Sequence, residues 1–170
     1  AKLFGSKRVV AFDIDPERLK LAKKLGADET VNTAEPEFLK KATELTEGRG
    51  YPYVFETAGQ PATMKMAFEV AANKGHLCFI GTPHTKLAYP SSLWEYMNRK
   101  EFYLTGSWMS YSAPFPGREW KLTAHFFQTG QLKFDEKLIF AKYQMKDAAR
   151  AFQMFEVPSH VKGKILLVNE

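Results

Sequence analysis

Cysteine is almost missing. Cys78 is the only one in 170 residues, so these residues can form no internal disulfide and no cysteine-based zinc cluster. Long hydrophobic runs are missing as well: HLCFIG and GKILLV fall far short of the ~20 apolar residues that span a bilayer. The opening AKLFGSKR has no apolar core followed by a cleavage site. These features predict a soluble chain of the reducing cytoplasm, without a membrane partner. Internal repeats and low-complexity tracts are also absent. Histidine is sparse, and none of His76, His84, His125 and His160 is paired at i, i+4 or with a nearby acid as a metal or catalytic site would be. Structural or solvent-facing roles are expected for all of them.

What is present is ordinary globular composition, 45% hydrophobic and 25% charged, in a chain the size of one domain or slightly more. The formal charge of +5 does not point to nucleic acid, because the lysines of RLKLAKKLG and LKKATE alternate with apolar residues at helical spacing and read as a solvated helix face.

The residues VVAFDID (9–15) read as a buried strand ending on acids. Asp15 can cap a helix that begins at Pro16 and carries Leu19, Ala22 and Leu25 on one side, with Gly26 stopping it. A strand ETVN (29–32), a proline-started helix (36–46), a strand turning at YVFETAG (53–59) and a helix from Pro61 follow, the last with Met64, Ala67, Phe68 and Ala71 inward. HLCFIGTP (76–83) is a further strand, Ser92 and Glu95 suggest a capping box for a helix LWEYMNRK, and EFYLTGSWM (101–109) reads as the next strand. Short strands alternating with helices require a parallel sheet with right-handed crossovers, an α/β doubly wound arrangement. Beyond residue 110 come a helix REWKLTAHFFQ, LIFAKY, a helix MKDAARAFQMF and a closing strand GKILLV. That last strand suits a larger barrel and has no evident partner of its own.

In an open parallel sheet, ligands bind past the carboxyl ends of the strands, where Asp13 lies. An acid there accepts hydrogen bonds from the adenosine ribose and repels the 2′-phosphate of NADP, which favours NAD. Asp15 is the better helix cap, leaving Asp13 for a ligand. The fingerprint also needs a GxGxxG turn roughly 20 residues upstream of the acid, and only twelve residues precede Asp13. The glycine turn and first strand are therefore expected upstream of Ala1, and the chain is expected to begin in the middle of a domain.

AKLFGSKRVVAFDIDPERLKLAKKLGADETVN, VFETAG, FIGTP and GKILLV together resemble the zinc-dependent medium-chain alcohol and polyol dehydrogenases over essentially the whole chain. Within that family, GSWMSYSAPFPGREW is similar to the branch acting on sugar-alcohol phosphates. The resemblance implies an incomplete NAD-binding Rossmann domain over residues 1–109 and a segment returning to the catalytic domain over 110–170. It places Asp13 on the adenosine ribose, Ile14 on the adenine and Arg18 near the same ribose. Thr57 and Ala58 would lie under the nicotinamide ribose, Ile80, Gly81 and Thr82 against the nicotinamide, Ser107 and Met109 at the carboxamide, and Lys164 toward the pyrophosphate. It further implies that zinc lowers the pKa of a secondary hydroxyl of a polyol or sugar-alcohol phosphate, whose carbon then delivers hydride to the nicotinamide. The zinc ligands would come from a catalytic domain outside this chain, so these residues contain no catalytic or metal residue and should be inactive alone. Cys78 is expected to be a small buried hydrophobe, and Trp108, Tyr111, Phe115 and Trp120 to pack at a domain interface. The family also implies a homodimer or homotetramer, with residues 86–90 (KLAYP) pairing across a two-fold axis.

Two other readings compete. A non-catalytic nucleotide-binding or regulatory module would explain the absent glycine turn, and an S-adenosylmethionine-dependent methyltransferase also sets an acid on a ribose at this point of a parallel sheet. The upstream sequence separates them: cysteine and histidine ligands followed by GxGxxG favour the dehydrogenase.

Overall fold

The computed structural model describes residues 1–108, 115–157 and 160–169. Met109 and Tyr111, and with them the expected domain boundary, lie outside the described residues. Among the described residues seven strands pair in parallel throughout, in an α/β chain whose order follows the sequence pattern closely.

β1 (Val10–Asp13) pairs with β2 (Glu29–Asn32), Asp13 standing opposite Asn32. Between them runs α1 (Pro16–Lys24). Asp15 caps it, Oδ1 accepting the backbone N–H of Glu17 at 2.8 Å and of Arg18 at 3.4 Å, and Pro16 occupies the first turn where its missing N–H costs nothing. α2 (Phe38–Glu44) starts later than position 36. A second turn explains the delay: after Asn32 holds the N–H groups of Ala34 (3.0 Å) and Glu35 (3.2 Å), the N–H of Phe38 donates to the carbonyl of Glu35 at 3.2 Å, so residues 35–38 turn where the helix was expected to start.

The second sheet has the order β3 (Tyr51–Glu56), β4 (Ala71–Phe79), β5 (Tyr103–Gly106). α3 (Pro61–Val70) crosses over from β3 to β4. β4 begins well before residue 76, because Ala71 already pairs with Tyr51 ahead of a register shift. Alternate residues of a strand point to opposite faces. Leu77 and Phe79 accordingly face a core of Ala67, Phe68, Ala71, Leu93 and Phe102, while His76 lies on the other face, stacked between Tyr53 (5.3 Å) and Tyr103 (4.8 Å). Cys78 shares that outer parity and is half-exposed, which corrects the expectation of a buried hydrophobe.

The helix expected from LWEYMNRK is two short ones, α4 (Ser91–Trp94) and α5 (Tyr96–Lys100). No Ser92–Glu95 capping box forms: Pro90 is the N-cap residue of α4, and Glu95 instead pairs with Arg99 one turn later at 2.9 Å. Lys100 then closes the far end of α3. Its ammonium donates to the carbonyls of Phe68 (3.0 Å), Glu69 (2.6 Å) and Ala71 (2.9 Å), which the helix leaves unpaired, and it sits 4.7 Å from the centre of the Tyr96 ring. Burial draws the Lys100 pKa downward, against the pull of Glu69. Replacing it in Lys100→Met keeps the stem and removes all three bonds. The expected loss is about 2 kcal/mol of unfolding free energy in urea, and a loss under about 0.5 kcal/mol would show that solvent caps α3 equally well.

Among the described residues the two sheets share no ladder, but the rings of Phe12 and Tyr51 meet edge to face at 5.5 Å. Tyr51 also donates its hydroxyl to the carbonyl of Ala42 at 3.1 Å, and burial pushes its pKa up to about 12.

The C-terminal part supplies α6 (Arg118–Gln128), β6 (Ile139–Gln144), α7 (Ala148–Gln153) and β7 (Lys164–Val168). β7, the closing strand, pairs in parallel with β6, which corrects the expectation that it lacks a partner within these residues. Phe126 of α6 meets Phe4 edge to face, and Lys24 pairs with Asp135 at 2.5 Å, tying this part to the first sheet. Phe115 and Trp120 are in contact at 5.7 Å, while Trp108 is exposed. Residues 86–90 take part in no ladder among the described residues. No helix among the described residues is long and apolar enough to cross a membrane.

Candidate cofactor-binding site

The sequence-predicted positions gather into two groups, each at the carboxyl ends of parallel strands. The first is Asp13, Ile14 and Arg18. Asp13 ends β1, and its Oδ1 accepts the backbone N–H of Asp15 at 2.9 Å and pairs with the Arg18 guanidinium at 3.0 Å. Oδ2 has no protein partner among the described residues, so an acceptor stands open at the strand end. Ile14 beside it is 64% exposed, an apolar surface with nothing packed on it. An open carboxylate oxygen next to a bare aliphatic side chain fits a ribose diol followed by a flat base.

The second group is Thr57, Ala58, Ile80, Gly81, Thr82 and Ser107, in the turns after β3, β4 and β5. Glu56, the last residue of β3 and only 5% exposed, holds these turns together. Its Oε1 accepts the N–H of Ala58 (2.9 Å), the N–H of Gly59 (3.0 Å) and the Thr63 hydroxyl (2.7 Å), and Oε2 also receives the Gly59 N–H at 3.2 Å. Its backbone carbonyl accepts the N–H of Ile80 at 2.8 Å and of Gly81 at 3.0 Å. The N–H of Ser107 donates to the carbonyl of Phe79 at 2.9 Å, bringing the third turn alongside.

Glycine is required at two points of this junction. Gly59 has φ +66°, and a Cβ there would collide with the carbonyl of Thr82. A Cβ on Gly81 would run into the backbone nitrogen of Gly59 and stand 2.8 Å from Glu56 Oε2. The two turns thus touch backbone to backbone, with Thr57, Ala58, Ile80 and Thr82 left exposed on the outer surface. The glycines serve the contact between the turns, and the outer surface carries the exposed Ile80 with small neighbours.

Lys164 is the exposed first residue of β7 and pairs with Ile139. A second lysine, Lys162, pairs with the helix cap beside the first group: its ammonium lies 3.0 Å from Asp15 and, with the N–H of Glu17, holds that carboxyl below the usual range. Sequence reasoning missed Lys162, Glu56 and Gly59. Glu56 carried a signal, since it is an acid ending an apolar strand just as Asp13 is. Among the described residues no three His, Cys, Asp or Glu side chains come together as a metal site, so these residues do not fit a zinc ion. An open groove of about 400 Å³ lies between α1, β2 and α2, lined by Leu19, Lys20, Lys23 and Lys41 among others, and contains none of the predicted cofactor positions.

Comparison with known proteins shows the family and the fold of the chain. Galactitol 1-phosphate 5-dehydrogenase of Escherichia coli is 35% identical over 168 residues, covering 99% of this chain and 48% of the relative. The crystal structure of galactitol-1-phosphate dehydrogenase from Escherichia coli superposes on 98% of the chain, and 48% of that protein, with a TM-score of 0.86. A crystal structure described as an NAD-dependent alcohol dehydrogenase, 28% identical, matches 99% of this chain and 46% of its own with a TM-score of 0.76. The chain therefore spans about half the length of the relatives it matches. The family model described as zinc-binding dehydrogenase matches residues 1–126, and with the parallel α/β fold and the paired strand-end turns it establishes that the chain belongs to the zinc-binding dehydrogenase family.

Proposed function

We propose that this chain is the cofactor-binding portion of an NAD-dependent, zinc-dependent oxidoreductase that oxidises a secondary hydroxyl of a polyol or sugar-alcohol phosphate. The observation that carries NAD is Asp13, with one carboxylate oxygen held by Arg18 and the Asp15 N–H and the other open at the end of β1. The open oxygen accepts from the ribose hydroxyls, Ile14 covers one side of the adenine, and Arg18 fixes the carboxylate's orientation. The negative charge at that point works against a 2′-phosphate. The turns at 57–59 and 80–82, joined through Glu56, form the wall for the nicotinamide ribose and ring, with Ser107 and Met109 at the carboxamide. Lys164, or Lys162 nearer to Asp15, supplies positive charge toward the pyrophosphate. NAD, when bound, is the hydride acceptor. Zinc and the alcohol belong, in this reading, to residues outside this chain, which alone does not turn over. The likeness to galactitol 1-phosphate 5-dehydrogenase supports a sugar-alcohol phosphate as substrate.

Titration calorimetry with NAD and NADP tests the cofactor assignment. Asp13→Asn keeps an acceptor for the Asp15 N–H but removes the charge. It should weaken NAD about tenfold to a hundredfold, the range for a charge-assisted hydrogen bond, and narrow the margin over NADP. Equal affinity of the native protein for NAD and NADP would sink the assignment.

The protein is further proposed to be a homodimer or homotetramer of the cytoplasm, with the unpaired segment 86–90 extending a sheet across a two-fold axis. Light scattering that returns a clean monomer of the intact enzyme would contradict this.

A further inference from the structure

Glu56 presents a chemical anomaly that the wall of the site does not by itself require. Its carboxylate is buried, and none of the ion pairs among the described residues involves it. Oε1 accepts from the N–H groups of Ala58 and Gly59, and Oε2 shares the Gly59 N–H, so the described contacts of the carboxyl are those of an acceptor. Burying a charge without a countercharge is costly. The acceptor work at Oε1, toward Ala58, Gly59 and Thr63, could be done by a glutamine amide oxygen at no such cost. Nearby, the Tyr89 hydroxyl is buried and without a partner among the described residues, and burial, then Glu56, raises its pKa.

We propose that Glu56 is a specificity-determining residue for the redox state of the cofactor, its buried negative charge favouring the cationic oxidised nicotinamide over the uncharged reduced ring. This rests on the reading that the turns at 57–59 and 80–82 form the nicotinamide wall. Glu56 lies directly behind both turns, close enough that Oε2 would stand 2.8 Å from a Cβ on Gly81. A charge in that position is screened by little water, and its field acts on the one part of the dinucleotide whose charge changes in the reaction. The adenosine half is identical in both forms, so an effect of charge shows as a ratio of affinities. A loss of loop geometry lowers both affinities together.

The test is the ratio of dissociation constants for NADH and NAD+, read by calorimetry and NADH fluorescence on the native protein and three variants. Glu56→Gln should shift the ratio about tenfold toward NADH, with near-UV circular dichroism unchanged. Glu56→Asp retains the charge on a shorter stem and should weaken both forms alike, leaving the ratio near the native value. Thr63→Val removes the hydroxyl that contacts Oε1 and the Gln60 carbonyl, and no charge, and should leave the ratio unchanged even if Glu56→Gln proves unable to fold. An unaltered ratio in Glu56→Gln, or a shift in Thr63→Val as large as the one expected of Glu56→Gln, overturns the proposal while leaving the cofactor site standing. Failure of the native protein to bind either form overturns both.

Discussion

Gly81→Ala should weaken NAD binding about tenfold to a hundredfold, the ~1–3 kcal/mol of an overpacked contact expressed as an affinity. The added Cβ would occupy the space of the Gly59 backbone and approach Glu56 Oε2 at 2.8 Å. The Gly59 backbone cannot swing aside as a side-chain end can, and the Glu56 carboxylate is held by its own hydrogen bonds, so the turns at 57–59 and 80–82 must move apart. Moving them strains the bonds from Glu56 to Ala58, Gly59 and Ile80 at once. A stability loss of about 1–3 kcal/mol should accompany the change, as for other overpacked sites. Gly106, at the end of β5, is the control: nothing lies within 4 Å of a Cβ there, and Gly106→Ala should leave unfolding within about 0.5 kcal/mol of the native protein. If Gly81→Ala binds NAD as the native protein does, the backbone contact between the turns is not what shapes the site.

Phe68→Ala is expected to cost the most stability, about 3–5 kcal/mol by urea unfolding. Phe68 is fully buried and its ring meets those of Tyr89 (4.8 Å), Phe102 (5.1 Å), Trp94 (6.1 Å) and Phe79 (6.3 Å). It therefore connects α3, α4, the second sheet and the segment carrying Tyr89. Aromatic rings cannot close a void of that size by small adjustments, because each neighbour is held by its own element. Part of the loss should appear as weaker cofactor binding. A cost below about 1.5 kcal/mol, the usual limit for volume-conserving changes, would mean the site collapses freely and that α3 is not rigidly seated on the sheet.

The elements that could be read from sequence are those whose chemistry is local. Asp15 and Pro16 start α1 as their side chains dictate, and the inward face of α3 carries Met64, Ala67 and Phe68 at helical spacing. The readings that failed depend on contacts made elsewhere. Ser92 and Glu95 have the right spacing for a capping box, yet Pro90 sets the start of α4 and Arg99 takes Glu95. β4 extends back to Ala71 only because Tyr51 is there to pair with it. Lys100 caps a helix about thirty residues away, which no pattern around it announces. Within the candidate site, Asp13 drew notice because strand-end acids have a known use, and it does end β1, while Glu56 was read as part of a strand rather than as the acceptor joining two turns. Its role needs both turns in view.

The most direct measurement is an NMR titration of isotope-labelled protein with NAD, following backbone amides. The expected result is saturable shifts concentrated at Asp13 and Ile14, at 57–59 and at 80–82, with NADP perturbing the first group far less at equal concentration. Shifts confined to the groove between α1, β2 and α2, or none at all, would contradict the assignment of a dinucleotide to the strand ends.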